Sequence, residues 1–179
     1  MSSSRLTVRV MTWNIHSGFG PDRRFDLARV VAAITRNRPD VVALQEVDSR
    51  HTVPPAASAF AVLREAVGPH GVEASSILTA DGAYGQMVLS RWPFAADFNE
   101  WFWPASLRGA LGRELPARTQ HATFPSWYPL LRLDRIFCWR PGAMRASFVD
   151  RDARSASDHL PVIADVEIDL ASNPPPRNG

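Results

Sequence analysis

Near the end of the chain stand Ser157, Asp158, His159, Leu160 and Pro161, an adjacent Asp–His pair on a short turn. Asp offers a hard oxygen ligand and His a nitrogen that titrates near neutrality. Such a pair suits proton transfer or metal-assisted chemistry, provided that other groups converge on it. Alone it equally fits a solvated surface turn. Further oxygen-bearing side chains recur along the chain at Asn14, Glu46, Asp97, Asn99 and Asp134. Their relevance depends on the elements that carry them.

Leu6, Val8 and Val10 alternate with Thr7, Arg9 and Met11 and predict a strand that runs into Asn14. Asp26 is a good helix N-cap, and Leu27, Val30, Val31 and Ile34 follow at helical spacing. Asn37 and Pro39 close that helix. Val41, Val42, Ala43 and Leu44 form a continuous apolar run, as expected of a strand covered on both faces, and it ends at Glu46. Strand, helix and strand of these lengths make a crossover unit. Parallel strands would bring Asn14 and Glu46 out at the same sheet edge, where α/β proteins build sites. The simpler readings are a turn-forming Asn14 and a solvated Glu46.

Pro54 and Pro55 predict the opening of a second helix, carrying Phe60, Leu63 and Val67 and stopping at Gly68-Pro69. Strands are expected at 72–78 and 84–90, with Asp81-Gly82 as the turn. A short helix is expected at 106–114, a loop at 123–127, and strands at 133–139 and 144–149. The last strand follows the Asp–His turn through Val162, Ala164, Val166 and Ile168. One domain is expected over residues 1–170, with a disordered Pro-containing tail at 171–179.

Composition narrows the class. The chain has 179 residues, 45% hydrophobic and 21% charged, enough for one domain with a core. The single Cys138 rules out an intramolecular disulfide and a Cys-rich zinc site. All basic side chains are Arg, and the formal net charge is only +2. The sequence pI of about 9.3 overstates basicity, because few groups here titrate between about pH 7 and 10. This balance disfavours a module that binds nucleic acid by charge alone. No apolar run has the length of a membrane span, and the beginning lacks a signal peptide's apolar stretch, so a cytoplasmic protein is expected. The sequence marks no protein partner.

The segments Thr12-Trp13-Asn14-Ile15-His16, Leu44-Gln45-Glu46-Val47-Asp48, Asp97-Phe98-Asn99-Glu100-Trp101, Leu133-Asp134-Arg135-Ile136 and Ser157-Asp158-His159-Leu160-Pro161 occur in this order. Together they resemble the endonuclease/exonuclease/phosphatase superfamily, the DNase I-like fold. Thr123-Phe124-Pro125-Ser126 looks like a compact bacterial branch of it. The resemblance implies a four-layered α/β sandwich, two facing sheets with helices outside. It implies Mg²⁺-dependent phosphoester hydrolysis, with Mn²⁺ as a substitute, on nucleic acid, a nucleotide or a phospholipid headgroup. By the same resemblance Glu46 is the principal metal ligand, with Asn14 and Asp158 near the ion. Asp97 and Asn99 would orient the attacking water and hold the phosphate. His159 would act as general base or phosphoryl donor, and Asp134 would fix its tautomer. A strand-end Asp134 paired with Arg135 is the structural alternative. Trp101 and Trp127, with other aromatics at 102–103, 124 and 128, could rim a substrate cleft, although core packing is the favoured reading for these rings.

The sequence departs from the family at one place. Asp97 follows Pro93 almost at once, where family members carry further strands and a His segment. Neither His121 nor His16, His51 or His70 stands in that segment's context. Ala96 replaces the usual Gly, and Gln86 stands where Asn is usual. An internal deletion is therefore expected, with an incomplete second sheet, an open edge or exposed apolar surface, and weak or no activity. A non-catalytic member that keeps the fold is the alternative.

Overall fold

The computed structural model describes residues 5–50, 58–92, 117–138 and 142–169. Asp97, Asn99, Trp101, Pro54, Pro55, the expected 106–114 helix and the 171–179 tail lie outside the described residues. The strands are β1 (Arg5–Asn14), β2 (Val41–Asp48), β3 (His70–Thr79), β4 (Gly82–Ser90), β5 (Ala117–Arg118), β6 (Phe137–Cys138), β7 (Met144–Val149) and β8 (Val162–Asp169). The helices are α1 (Leu27–Asn37) and α2 (Ala59–Val67), with short 3₁₀ turns at His16–Gly18 and Arg151–Ser155.

Six strands form one sheet in the order β3-β4-β2-β1-β8-β7, and β5 pairs with β6 in a separate two-stranded ribbon. β1 and β2 run parallel, joined by α1, as the crossover pattern requires. The Asp26 carboxylate accepts from the Ala28 N–H and starts α1, while Arg38 in the left-handed region ends it. α2 starts on the Ser58 hydroxyl, which accepts from the Ala61 N–H.

α1 and α2 cover one face of the large sheet. Val30, Ile34 and Leu63 pack there on Met11, Trp13, Val42, Leu44, Leu89 and Ile163, all buried. The opposite face is covered around β1, β8 and β7, where Ile136 packs with Val162, Ala164 and Val166. This corrects the expectation that β2 is covered on both faces. Val42 and Leu44 are buried, but Val41 and Ala43 are only half-buried. Among the described residues the second-sheet side is represented by two-residue strands. The result is a DNase I-like α/β arrangement with one large sheet and one small one.

Two further expectations change. Of the strand expected at 133–139, the described residues 133–138 give only Phe137–Cys138, whose described ladder partner, Ala117–Arg118, is two residues long. The hairpin turn lies at Ala80-Asp81 rather than Asp81-Gly82, since Gly82 already pairs with Thr79.

Candidate active site

The carboxyl ends of β1 and β2 deliver Asn14 and Glu46 side by side, and Asn14 Nδ2 donates to Glu46 Oε1 at 2.8 Å. Simple alternation would turn Glu46 toward the helices, with Val42 and Leu44. The ladder prevents this. Between the pairs Leu44–Met87 and Val47–Gly85, β2 has one more residue than β4. This bulge takes up the extra residue, with Glu46 at φ 56°, and returns Val47 to the core. A non-glycine residue in that region costs about 1–3 kcal/mol, a cost that recurs at functional sites.

The Ser157–His159 turn is fixed from several directions. The Trp13 indole N–H donates to the His159 carbonyl at 2.9 Å, and Ser157 Oγ donates to the Asn14 carbonyl at 2.7 Å. The His159 N–H in turn donates to Ser157 Oγ at 3.1 Å. The Leu160 N–H donates to the Thr123 carbonyl and the Ser126 N–H to the Asp158 carbonyl. Ahead of the turn, the buried Asp150 carboxylate accepts from Arg36 and from Asn37 Nδ2 at the end of α1.

His159 Nδ1 lies 2.7 Å from Asp134 Oδ2, and both side chains are largely buried. A carboxylate only accepts, so Nδ1 carries the proton and Nε2 is left for chemistry. Burial works to lower the His159 pKa. The hydrogen bond and charge of Asp134, with the charges of Asp158 and Glu46, outweigh it and hold the imidazole above its ordinary value. The Phe124 ring packs 4.9 Å from the imidazole, centroid to centroid. Asp134 is thus the partner of His159, while Arg135 donates to the Arg132 carbonyl instead.

Two residues join the site that sequence reasoning did not place there. His16 Nδ1 stands 3.6 Å from Asp158 Oδ1, and the Asn14 Oδ1 accepts from the His16 N–H. Proximity in sequence to Asn14 was the available signal. Tyr84, on β4, is pushed up by burial, then by the Glu46 charge and a hydrogen bond to that carboxylate. Only strand pairing brings it there. His121 does not join; its Nε2 lies 2.9 Å from Ser147 Oγ.

Glu46, Asp158 and Asn14 offer hard oxygen donors, the set that suits Mg²⁺ with water completing the shell. Among the described residues, no three His, Cys, Asp or Glu side chains are grouped to hold an ion by themselves. A donor set of this size leaves room for water to complete the shell, as Mg²⁺ prefers. Trp127 and Tyr128 are 71% and 62% exposed, which corrects the core-packing expectation for these two rings. Their loop is pinned to the Asp–His turn through Ser126, so its exposed rings have no core to enter.

A model of the Endonuclease/Exonuclease/phosphatase family matches residues 11–159. The chain is 26% identical over 249 residues to the uncharacterized protein YbhP of Escherichia coli (strain K12), covering 93% of this chain and 98% of YbhP. That span exceeds the 179 residues of the chain, so YbhP carries stretches with no counterpart here. The endonuclease/exonuclease/phosphatase from Beutenbergia cavernae DSM 12333 superposes with TM-score 0.60 at 18% identity, over 91% of this chain and 72% of that one. A family protein from Leptotrichia buccalis C-1013-b gives TM-score 0.61 at 14% identity, over 90% of this chain and 100% of that one. At such identities the structures establish the shared fold.

Proposed function

The chain belongs to the endonuclease/exonuclease/phosphatase family, and from that premise we propose that it is a Mg²⁺-dependent phosphoester hydrolase, with Mn²⁺ as a substitute. The observation that carries this reading is the Asp134–His159 pair, held beside Asp158 and the Asn14–Glu46 pair. Glu46 is the principal ligand, and Asn14 and Asp158 complete the protein's share. A bound Mg²⁺ supplies polarisation of the phosphoryl oxygen and offsets charge on the leaving group. His159 Nε2 takes the proton of the attacking water, or donates to a phosphoryl oxygen in its charged form. Asp134 keeps Nδ1 protonated and steadies the imidazolium. Asp97 and Asn99 are assigned the water and phosphate by resemblance, and Trp127 a place at the substrate's flank. Nucleic acid, nucleotides and phospholipid headgroups are the substrate classes.

A second reading has its own observation. YbhP is longer than this chain by stretches absent here, which favours a family member with reduced turnover or none. Titration of Mg²⁺ and Mn²⁺ against bis(p-nitrophenyl) phosphate separates the two. An active protein should lose about 10²-fold or more with His159→Ala, and Glu46→Gln should weaken the metal dependence. Turnover that survives both changes would refute the site assignment. No turnover in wild type would support the non-catalytic reading.

A further inference from the structure

Residues 124–131 form a closed loop whose Trp127, Tyr128, Leu130 and Leu131 side chains face solvent. Leu131 N–H donates to the Phe124 carbonyl at 2.8 Å, and the Thr123 N–H donates to the Leu131 carbonyl at 2.8 Å. At the loop's inner side Ser126 is buried, its N–H on the Asp158 carbonyl at 2.7 Å and its hydroxyl on the Arg154 carbonyl at 3.1 Å. These bonds hold the backbone, so the exposure of the tip is a built feature. Trp127, Tyr128, Leu130, Leu131 and Leu133 are all large, apolar and exposed, with Leu130 at 66%. Five such residues within seven positions form a concentration of apolar surface that soluble monomers rarely leave without a use.

The charge around this tip points to its occupant. Arg132, Arg135 and Arg154 are exposed beside it, and among the described residues no carboxylate forms an ion pair with them. Several arginines elsewhere are paired, as Arg9 is with Asp165, Arg29 with Asp22 and Arg145 with Glu167, whereas these three stand together around one apolar tip. We propose that this loop docks the protein on a lipid surface that carries anionic headgroups. Trp and Tyr favour the bilayer interface, the leucines enter the acyl boundary, and the exposed arginines meet the headgroup charge. Aliphatic tips distinguish this from a base-stacking platform, which relies on aromatic rings. Docking would set the Asp158–His159 turn beside the headgroup layer, since Ser126 joins the two.

Flotation of the full chain with vesicles tests this, with EDTA present so that the result does not depend on the hydrolase reading. Vesicles of phosphatidylcholine containing phosphatidylglycerol should carry the protein, and pure phosphatidylcholine should carry less. The double substitution Leu130→Ser, Leu131→Ser should cut binding by roughly tenfold or more while leaving the melting temperature unchanged. Arg132→Gln and Arg135→Gln should each weaken binding to the anionic vesicles roughly fivefold and leave pure phosphatidylcholine unaffected. Absence of flotation would overturn the proposal. So would flotation indifferent to the leucine changes, or a dimer that those changes convert to monomer without any vesicle binding. Binding to single-stranded oligonucleotides that depends on Trp127, with none to vesicles, would likewise overturn it.

Discussion

Asp134 and His159 are 25 positions apart and share a 2.7 Å contact with little exposure to water. Replacing Asp134 by Asn removes the charge that fixes the tautomer and raises the imidazole pKa. Turnover should fall about tenfold to a hundredfold, and the acidic limb of the pH–rate profile should move to lower pH. An unmoved limb would mean that His159 is not the titrating group. The raised pKa also has a stability consequence. The folded state binds the His159 proton more tightly than the unfolded chain, whose imidazole titrates near its ordinary value of about 6.5. The stabilisation is therefore complete below about pH 6.5 and is lost as pH rises through the higher folded value. Metal-free urea titrations across that range should show wild type losing its advantage over His159→Gln as the solution becomes more alkaline. Advantage gained at high pH would contradict the Asp134 account.

At the scale of elements, the turn is only as well placed as the strands and helices that hold it. The buried Asp150 carboxylate caps the Arg151–Ser155 turn through the Asp152 N–H and also accepts from Arg36 and Asn37 on α1. Asp150→Ala removes that junction. Arg36 is partly exposed and finds water, so the expected cost is about 2 kcal/mol. For a chain of this size that lowers the melting temperature by roughly 4–8 °C. A calorimetric shift below 1 °C, within the range of ordinary surface changes, would show that the junction does not hold the turn. On the other side, Trp13 is fully buried yet spends its one N–H on the His159 carbonyl. A single residue thus ties the helix-side core to the site. The β2 bulge has the same standing, because register alone decides whether Glu46 meets Asn14 or the core.

For the whole molecule, metal binding and folding are linked if Glu46, Asn14 and Asp158 hold an ion. Mg²⁺ at about a hundred times its dissociation constant should stabilise the fold by about 2.7 kcal/mol, seen as a rise in melting temperature. Glu46→Gln should abolish most of that rise. An equal rise in the variant would place the ion elsewhere. The helices cover the middle of the large sheet on one face, while the edge strand β3 leaves Val72, Ile77 and Leu78 exposed. The described residues include no helix long and apolar enough to cross a membrane.

The sequence by itself determined the first crossover unit, the β3–β4 hairpin, the two C-terminal strands and the order of the motifs. Local spacing carried α1 with its Asp26 cap and the parallel β1–β2 pair, while the grouping of Asn14, Glu46, Asp134, Asp158 and His159 came from the resemblance of their segments to a known family. The helix and the strand pair are short-range signals, set by periodicity, capping and residue type. Tertiary structure decided what depends on register and long-range packing. It turned Glu46 toward Asn14 through an extra residue, brought His16 to Asp158 and Tyr84 to Glu46, and left Trp127 and Tyr128 in solvent. No local pattern encodes these outcomes, because each depends on which strand pairs with which, and on how far the opposite sheet extends. The Asp134–His159 contact lies between the two cases: the residue types were legible, and only the fold could bring them within 2.7 Å.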